Sequence, residues 1–371
     1  MNSIICTVGA SIKANLKGLG LENEFESENY EKLVNYFLNF EKDPEEAREL
    51  GAEINSTVSI LKRGYLDERK NIYFLVSDTK DGERIGNILK GYFRNVKNFN
   101  FENVEVIKIK RLDDSKPDDF KLYGLRNLVK EMAKIIKKNL GSVIINATGG
   151  YKAQIAFALA LGQGLKVPVY YRFERFQKVI ELEPLPINLD TSLYFSVRSL
   201  FDILEEKNVV LFREVENIYK GLGKEATIFF DIEKINNEKY IAISPMGQIY
   251  LEVVRNEFYY LEKEYELLER DKEFVFITSN KEGHSLELIN KYRIKELFER
   301  FKYGTKARVS VYSKNEKAKN FKVKIKGDNL VVILTTKKGL IHLELETTAR
   351  NEMELEIIKI KLEKYLEENF K

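Results

Sequence analysis

Val143-Ile144-Ile145-Asn146-Ala147-Thr148-Gly149-Gly150-Tyr151-Lys152 is the stretch whose reading decides the fold. An apolar strand closes on a glycine pair. The residues that follow, Lys152 to Gly164, form a helix too apolar to face water, so it must pack against a sheet. The N-terminus repeats the pattern: residues 2 to 9 are an apolar strand, and Cys6-Thr7-Val8-Gly9-Ala10-Ser11, followed by Asn15, leads into a helix. Asn71 to Ser77 is another buried strand, closed by Asp78-Thr79. Val104 to Ile109 adds a third, Leu125 to Leu140 has helical apolar spacing, and Val167 to Arg172 and Lys178 to Leu182 are two more strands before Pro184 and Pro186 break the pattern. Strands alternating with helices from residue 2 to residue 187 predict an α/β fold, a doubly wound and mainly parallel sheet.

In such a sheet these turns lie at the carboxyl ends of strands, where open α/β sheets bind ligands. Gly9 permits a tight turn, Thr7 and Ser11 offer hydroxyls, and Asn15 stands one helical turn after Ser11. In the second turn Ala147-Thr148-Gly149-Gly150 brings main-chain amides close to an anion, and Lys152 adds a mobile cation. Ser77, Asp78 and Thr79 close a third strand at the same edge. Either turn alone is equally well read as an ordinary strand-to-helix connection needing glycine and capping hydroxyls. Two together, with a lysine, favour a phosphate-bearing ligand.

The chain, at 371 residues, exceeds one ordinary core and suggests two or three domains. A net charge of +3 announces no global field for a polyanion. The single cysteine, Cys6, excludes a disulfide framework and a cysteine-based zinc site and fits a reducing compartment. No charged-then-apolar leader and no run approaching about 18 apolar residues occurs, so a cytoplasmic protein with no membrane partner is expected. Residues 188–270 form a connector in which Phe201 to Leu222 reads as helix and Ala226 to Tyr250 mixes short strands with turns. From Glu273 a strand, a helix around Ser285 to Phe301, four strands and a helix over Glu352 to Asn369 predict an α+β domain, 271–371, with an antiparallel meander.

Thr7-x-Gly9-x-Ser11-x-x-x-Asn15 and Asn146-Ala-Thr148-Gly149-Gly150-Tyr-Lys152, with Leu75-Val-Ser-Asp-Thr79 between them, resemble the CARF domain of CRISPR-associated effectors over residues 1–187. That resemblance implies a Rossmann-like domain and a homodimer whose two-fold axis passes through a shared pocket. The pocket takes a cyclic oligoadenylate, with tetra-adenylate the expected ring, as an allosteric ligand and not a cofactor. Paired, self-related anion cradles suit a cyclic ligand with repeated phosphates. Some CARF domains also cut their ligand slowly, with groups like Ser11 and Lys152 nearby.

Between Ser285 and Gly327 thirteen Lys and Arg face four Glu, a local excess well above that of the whole chain, and phosphate-backbone binding is its natural use. Lys302, Lys306 and Arg308 are the expected RNA contacts. Phe321-Lys322-Val323-Lys324-Ile325-Lys326 alternates strictly, sending three cations out of one strand face and three apolar residues inward. This strand, the two after it and Thr347-Thr348-Ala349-Arg350-Asn351-Glu352 resemble the RelE family of toxin ribonucleases. On that match Lys322 and Lys324 are catalytic lysines and Arg350 the charge clamp, and Lys326 on the same strand face is counted with them, in a metal-independent endoribonuclease that acts on mRNA at the ribosome by 2′-hydroxyl attack.

Two departures stand out. Leu330-Val331-Val332 occupies the place of a second arginine, and no tyrosine closely follows Arg350, leaving Lys326, Arg308 or His342 as substitutes. Neither His284 nor His342 follows an arginine at the four-to-six-residue spacing of a HEPN ribonuclease. The acidic pattern of a metal-dependent restriction-like nuclease is absent from the C-terminal strands. The other reading is a ligand-responsive regulator with a winged helix in the connector; there Lys207, Arg213 and Lys220 are diluted by Glu205, Glu206, Glu214 and Glu216.

Overall fold

The computed structural model describes residues 1–139, 141–173, 176–186, 188–278, 283–312, 320–336 and 339–370. The chain divides into two compact units, Met1–Val254 and Arg255–Lys371, and mixes α and β structure in both.

In the first unit β1 (Ser3–Thr7) is followed by α1 (Ser11–Leu16), α2 (Glu22–Glu26), α3 (Tyr30–Leu38) and α4 (Ala52–Lys62). Then come β2 (Asn71–Val76), α5 (Lys80–Asn95), β3 (Asn103–Lys108), the single turn α6 (Pro117–Asp119) and α7 (Leu125–Lys138). β4 (Val143–Asn146), α8 (Lys152–Leu165), β5 (Val169–Tyr171) and β6 (Ile180–Leu182) complete the sheet, whose order is β3-β2-β1-β4-β5-β6. All neighbours run parallel except β6, which returns antiparallel to β5. The chain builds outward from β1 to β3 and then crosses back to β4, so the topological switch point lies between β1 and β4.

Helices cover both faces. Ile4, Cys6, Phe74 and Val76 pack with Ile12, Leu33, Ile54 and Ile88 on one side. Ile5, Tyr73, Leu75 and Ile145 pack with Leu128, Met132, Ala158 and Leu161 on the other. Successive strand residues point to opposite faces, which is why all of β1 is buried and its middle, Ile4-Ile5-Cys6, is apolar without a break. Cys6 is fully buried there, and burial pushes its thiol up to about 12. α4 turns hydroxyls to the sheet: Asn146 Nδ2 donates to Ser56 Oγ (2.8 Å) and Thr57 Oγ1 (3.1 Å), and the Val179 amide donates to Ser59 Oγ (3.1 Å). These bonds satisfy buried polar groups and tie the end of β4 to α4.

The connector corrects the expectation of one helix over Phe201 to Leu222. α9 (Tyr194–Lys207) ends at Asn208, whose φ is +65°, a left-handed value that asparagine tolerates better than most residues. β-branched Val209 and Val210 then form β7 (Val209–Leu211), and α10 (Phe212–Lys220) follows. β8 (Phe230–Ile235) and β9 (Glu238–Ile243) complete a three-stranded sheet, β7-β9-β8, before α11 (Pro245–Glu264), within which the division between units falls. Buried Arg126 holds the break, donating to Asn208 O (3.2 Å) and Oδ1 (3.0 Å).

The second unit contains β10 (Val275–Thr278), α12 (Gly283–Lys291), α13 (Ile294–Glu299), β11 (Gly304–Tyr312), β12 (Asn320–Lys326), β13 (Asn329–Thr336), β14 (Gly339–Thr347) and α14 (Glu352–Asn369). Its sheet order is β10-β11-β14-β13-β12. The helix expected around Ser285 to Phe301 splits at Arg293, which is left-handed with φ +47°. The sheet is not wholly antiparallel: β11, β14, β13 and β12 are, but β10 runs parallel to β11. The cause is that α12 and α13 lie between β10 and β11 in the chain, and a helical crossover returns a strand in the same direction. Val323, Val332, Leu343 and Val309 enter a core closed by Leu297, Phe298, Leu355, Ile358 and Leu362 from the helices. Lys314, Lys317, Lys319, the Lys337-Lys338 turn and the His284 side chain lie outside the described residues. Among the described residues no helix is long and apolar enough to cross a membrane.

Candidate functional site

At the switch point the β1 and β4 turns touch. The Thr7 hydroxyl donates to the Gly149 carbonyl. A Cβ on Gly9 would lie 2.7 Å from the Gly150 nitrogen, and one on Gly149 would lie 2.7 Å from the Thr7 carbonyl oxygen, so both positions need glycine for this approach. Gly150 has φ +104° and needs it for conformation.

The donors of the first turn are already engaged. Glu53, near the start of α4 and 1% exposed, accepts from the Gly9 amide at Oε1 (2.7 Å) and from Ser11 Oγ at Oε2 (3.0 Å). Ser11 Oγ in turn accepts from the Ala52 amide (3.0 Å), and Asn15 Nδ2 donates to the Arg48 (2.7 Å) and Glu49 (3.3 Å) carbonyls. Ala10 is exposed at the head of α1. Burial holds the Glu53 carboxyl above its usual range, opposed by the bonds from Gly9 and Ser11.

The folded protein therefore holds the Glu53 proton more tightly than the unfolded chain, where glutamate titrates near ~4.3. Glu53's contribution to stability is full below that value and declines as pH rises through the higher folded value. Glu53→Gln is expected to melt with the wild type at pH 4 and above it at pH 7.5; parallel melting curves at both pH values would defeat the assignment.

The second turn is organised differently. Thr148 Oγ1 donates to Asn146 Oδ1 (2.7 Å) and accepts from the Arg172 amide (3.1 Å), while Ala147 is buried. The Tyr151 amide donates to Gln154 Oε1 (2.8 Å), and Gln154 is fully buried with no hydrogen-bond partner at Nε2. Lys152, the first residue of α8, is exposed. The third turn spends its groups on the backbone: Thr79 Oγ1 caps α5 at the Gly82 amide (3.0 Å), Ser77 Oγ pairs with Thr79 Oγ1 (2.8 Å), and Asp78 Oδ2 accepts from the Arg111 amide (2.8 Å). Glu53, Gln154 and Arg172 escaped the motif reading. Gly51 with an acid two residues on marks a helix start but not a buried carboxylate.

In the second unit one sheet face is closed by helices and the other carries the polar chemistry. Two rows cross the open face: Lys322–Ile333–His342–Ser310, and Lys324–Val331–Glu344–Arg308–Ile277. A cavity of about 390 Å³ is lined by Ile277, Arg308, Ser310, Lys326, Val331, His342 and Glu344. That volume falls in the ~300–1,000 Å³ range of ligand pockets. Lys326, Arg308 and His342, the three possible substitutes for the absent arginine, thus share one cavity, although they come from three strands. Lys322 and Lys324 stand on the same face, with Lys322 about 10 Å from His342 across two strand spacings.

The other expected cations are paired with carboxylates. Lys302 meets Glu269 (2.9 Å) and Lys306 meets Glu346 (2.8 Å). Arg350 lies outside the lining of the cavity: its Nε donates to Glu354 Oε1 (2.9 Å) and its amide to Oε2 (2.9 Å), while Asn351 Oδ1 accepts from the Glu354 amide (2.9 Å). Glu354 is 1% exposed, and the Arg350 guanidinium holds its carboxyl below the usual range. This arrangement caps α14. Among the described residues no group of three or more His, Cys, Asp or Glu could hold a metal ion.

The family profile described as "CRISPR-associated protein (Cas_APE2256)" matches residues 48–185, a span that includes Glu53, the β4 turn and Gln154. No curated protein matches the chain. Among solved structures, Can2 from Sulfobacillus thermosulfidooxidans in complex with cyclic tetra-adenylate matches at 11% identity with a TM-score of 0.26, over 71% of this chain and 65% of that one. Protein VC1899 from Vibrio cholerae matches at 9% identity with a TM-score of 0.24, over 93% of this chain and 77% of that one. The chain thus spans 65%, less than two thirds, of the length of Can2.

Proposed function

We propose that this protein is an endoribonuclease of type III CRISPR defence, switched on by cyclic oligoadenylate bound in the Rossmann-like sheet of a homodimer. The observation that carries the effector half is the open face of the C-terminal sheet, which gathers Arg308, His342, Ser310, Glu344 and Lys326 around one cavity beside Lys322 and Lys324. The family profile over residues 48–185 and the glycine turns at the switch point support the sensor half.

The chemistry needs no metal. The 2′-hydroxyl of RNA gives its proton to a base as its oxygen attacks the adjacent phosphorus, the bond to the 5′-oxygen breaks, and the 5′-oxygen takes a proton from an acid, leaving a 2′,3′-cyclic phosphate and a 5′-hydroxyl with no net change in protons. Arg308 offers the planar fork that suits a phosphate. Imidazole is the usual side chain for moving a proton near neutral pH, which is the role of His342. The β12 lysines stabilise the crowded phosphorane and hold the strand. The substrate is mRNA on the ribosome, where the decoding centre helps align the 2′-hydroxyl. In the connector the cations of α9 and α10 are taken up by acids, Lys207 by Glu214, Arg213 by Glu238 and Lys220 by Glu216, which disfavours the regulator reading.

The test incubates the protein with translating ribosomes and each ring size of cyclic oligoadenylate, with and without EDTA, and maps RNA ends. Ligand-dependent cleavage to 2′,3′-cyclic phosphate ends, unaffected by EDTA, is expected. Strict Mg²⁺ dependence would overturn the mechanism. Lys152→Ala is expected to weaken ligand binding by about tenfold through loss of one charge-assisted contact; an unchanged titration removes Lys152 from the site.

A further inference from the structure

On the open face of the C-terminal sheet β14 carries two titratable side chains, His342 and Glu344, two residues and therefore about 7 Å apart. Directly across on β11 stand Ser310, opposite His342, and Arg308, opposite Glu344, at the roughly 5 Å spacing of cross-strand neighbours. All four line one cavity. What sets Glu344 apart is that its charge is unspent. Glu346, two residues further along the same face, pairs with Lys306 (2.8 Å), and Glu354 is taken by Arg350. Glu344 accepts a long bond from Asn329 Nδ2 (3.5 Å), and among the described residues neither it nor Arg308 enters an ion pair, although their strands set them face to face. Two opposite charges that face each other without closing leave room for a group that meets both: the guanidinium takes phosphate oxygens, the carboxylate a hydroxyl proton. The β12 lysines, as ammonium groups, already hold the proton that a base must lack.

We propose that Glu344 is the base of the cleavage reaction, with His342 the acid on the other side of the reacting phosphate. This rests on the ribonuclease reading above and goes beyond the toxin resemblance, which supplies lysines and an arginine. The Glu344 carboxylate takes the proton of the 2′-hydroxyl as that oxygen bonds to phosphorus, Arg308 holds the non-bridging oxygens, and the 5′-oxygen leaves with the proton of the His342 imidazolium. One proton enters the pair and one leaves it, so a proton carried back through water from Glu344 to His342 restores both side chains, and no further reagent is consumed.

The experiment programs ribosomes with mRNA whose cleavage site, once mapped, carries either oxygen or sulfur as the bridging 5′ atom, and measures single-turnover cleavage at saturating cyclic tetra-adenylate. A thiolate leaves without a proton, so sulfur removes the need for the acid and not for the base. His342→Ala is expected to be slow on the oxygen substrate and to recover to within tenfold of wild type on sulfur. Glu344→Gln, with its melting curve as the folding control, is expected to lose about 10²–10⁴ in rate relative to wild type on both substrates while binding RNA as wild type does. Glu344→Gln within threefold of wild type or rescued by sulfur, or His342→Ala not rescued by it, overturns the proposal. If Glu344→Gln does not fold, Glu344→Asp decides: it keeps the charge, withdraws it by one methylene and is expected to lose at least tenfold on both substrates, and a rate within threefold of wild type overturns the assignment. Wild type that cuts neither substrate overturns the ribonuclease reading and Glu344 with it; wild type that cuts while Glu344→Gln cuts equally overturns Glu344 alone.

Discussion

Replacing Lys322 and Lys324 together by alanine is expected to lower ligand-stimulated RNA cleavage by about a thousandfold or more, with ligand affinity and melting temperature unchanged. Both residues lie on the open face of β12, Lys322 exposed and Lys324 half-buried, while Val323 between them enters the core. The double change therefore leaves the packed side of the strand intact. What it removes is positive charge beside the place where negative charge develops on phosphorus. A single preorganised donor of that kind is worth roughly 10²–10³ in rate, and proton transfer contributes about 10²–10⁴. RNA degradation by the purified variant, measured with saturating cyclic oligoadenylate, is the check. Activity within tenfold of wild type would remove the lysine row from the mechanism.

Arg308→Ala and His342→Ala should each reduce cleavage by about 10²–10³. The two side chains come from neighbouring strands, in register with Glu344 and Ser310, and line the same cavity. Arg308 is exposed and His342 half-buried, so neither is part of the core. Single-turnover rates on bound RNA separate the two roles: loss of Arg308 should weaken substrate affinity as well as the rate, and loss of His342 the rate alone. If both variants cleave within threefold of wild type, the cavity is not the reaction centre and the β12 lysines act without it. Arg350 provides the contrast. With its guanidinium committed to Glu354 at the head of α14, its removal should show chiefly as a lower melting temperature.

The parallel sheet was legible because its central strands, β1, β2 and β4, are buried on both faces and lead into turns carrying glycine or hydroxyls, so an apolar run was enough. α14 was legible to the residue because Asn351 and Glu354 form a capping pair at its start. The break at Asn208 was not: a left-handed asparagine inside a helix-like pattern declares itself only through the β-branched pair after it. The direction of β10 was hidden for a different reason. Local alternation says that a strand exists, and only the helices between β10 and β11 say which way it runs. Glu53 was missed since an acid in the first turn of a helix ordinarily faces solvent, and nothing local says that the β1 turn covers it. The cavity draws on β10, β11, β12, β13 and β14, so its membership is a matter of register that no single segment records.

Among the described residues β12 has one sheet neighbour, β13, and so stands at the margin of its sheet. A rim strand with unmatched amides and carbonyls invites copies of the chain to stack against it, and lysine is the usual deterrent. Lys322, Lys324 and Lys326 would then protect solubility as well as act on RNA. A variant stripped of them would show this as concentration-dependent turbidity on storage, and evolution could exchange them for other cations far more readily than for neutral residues.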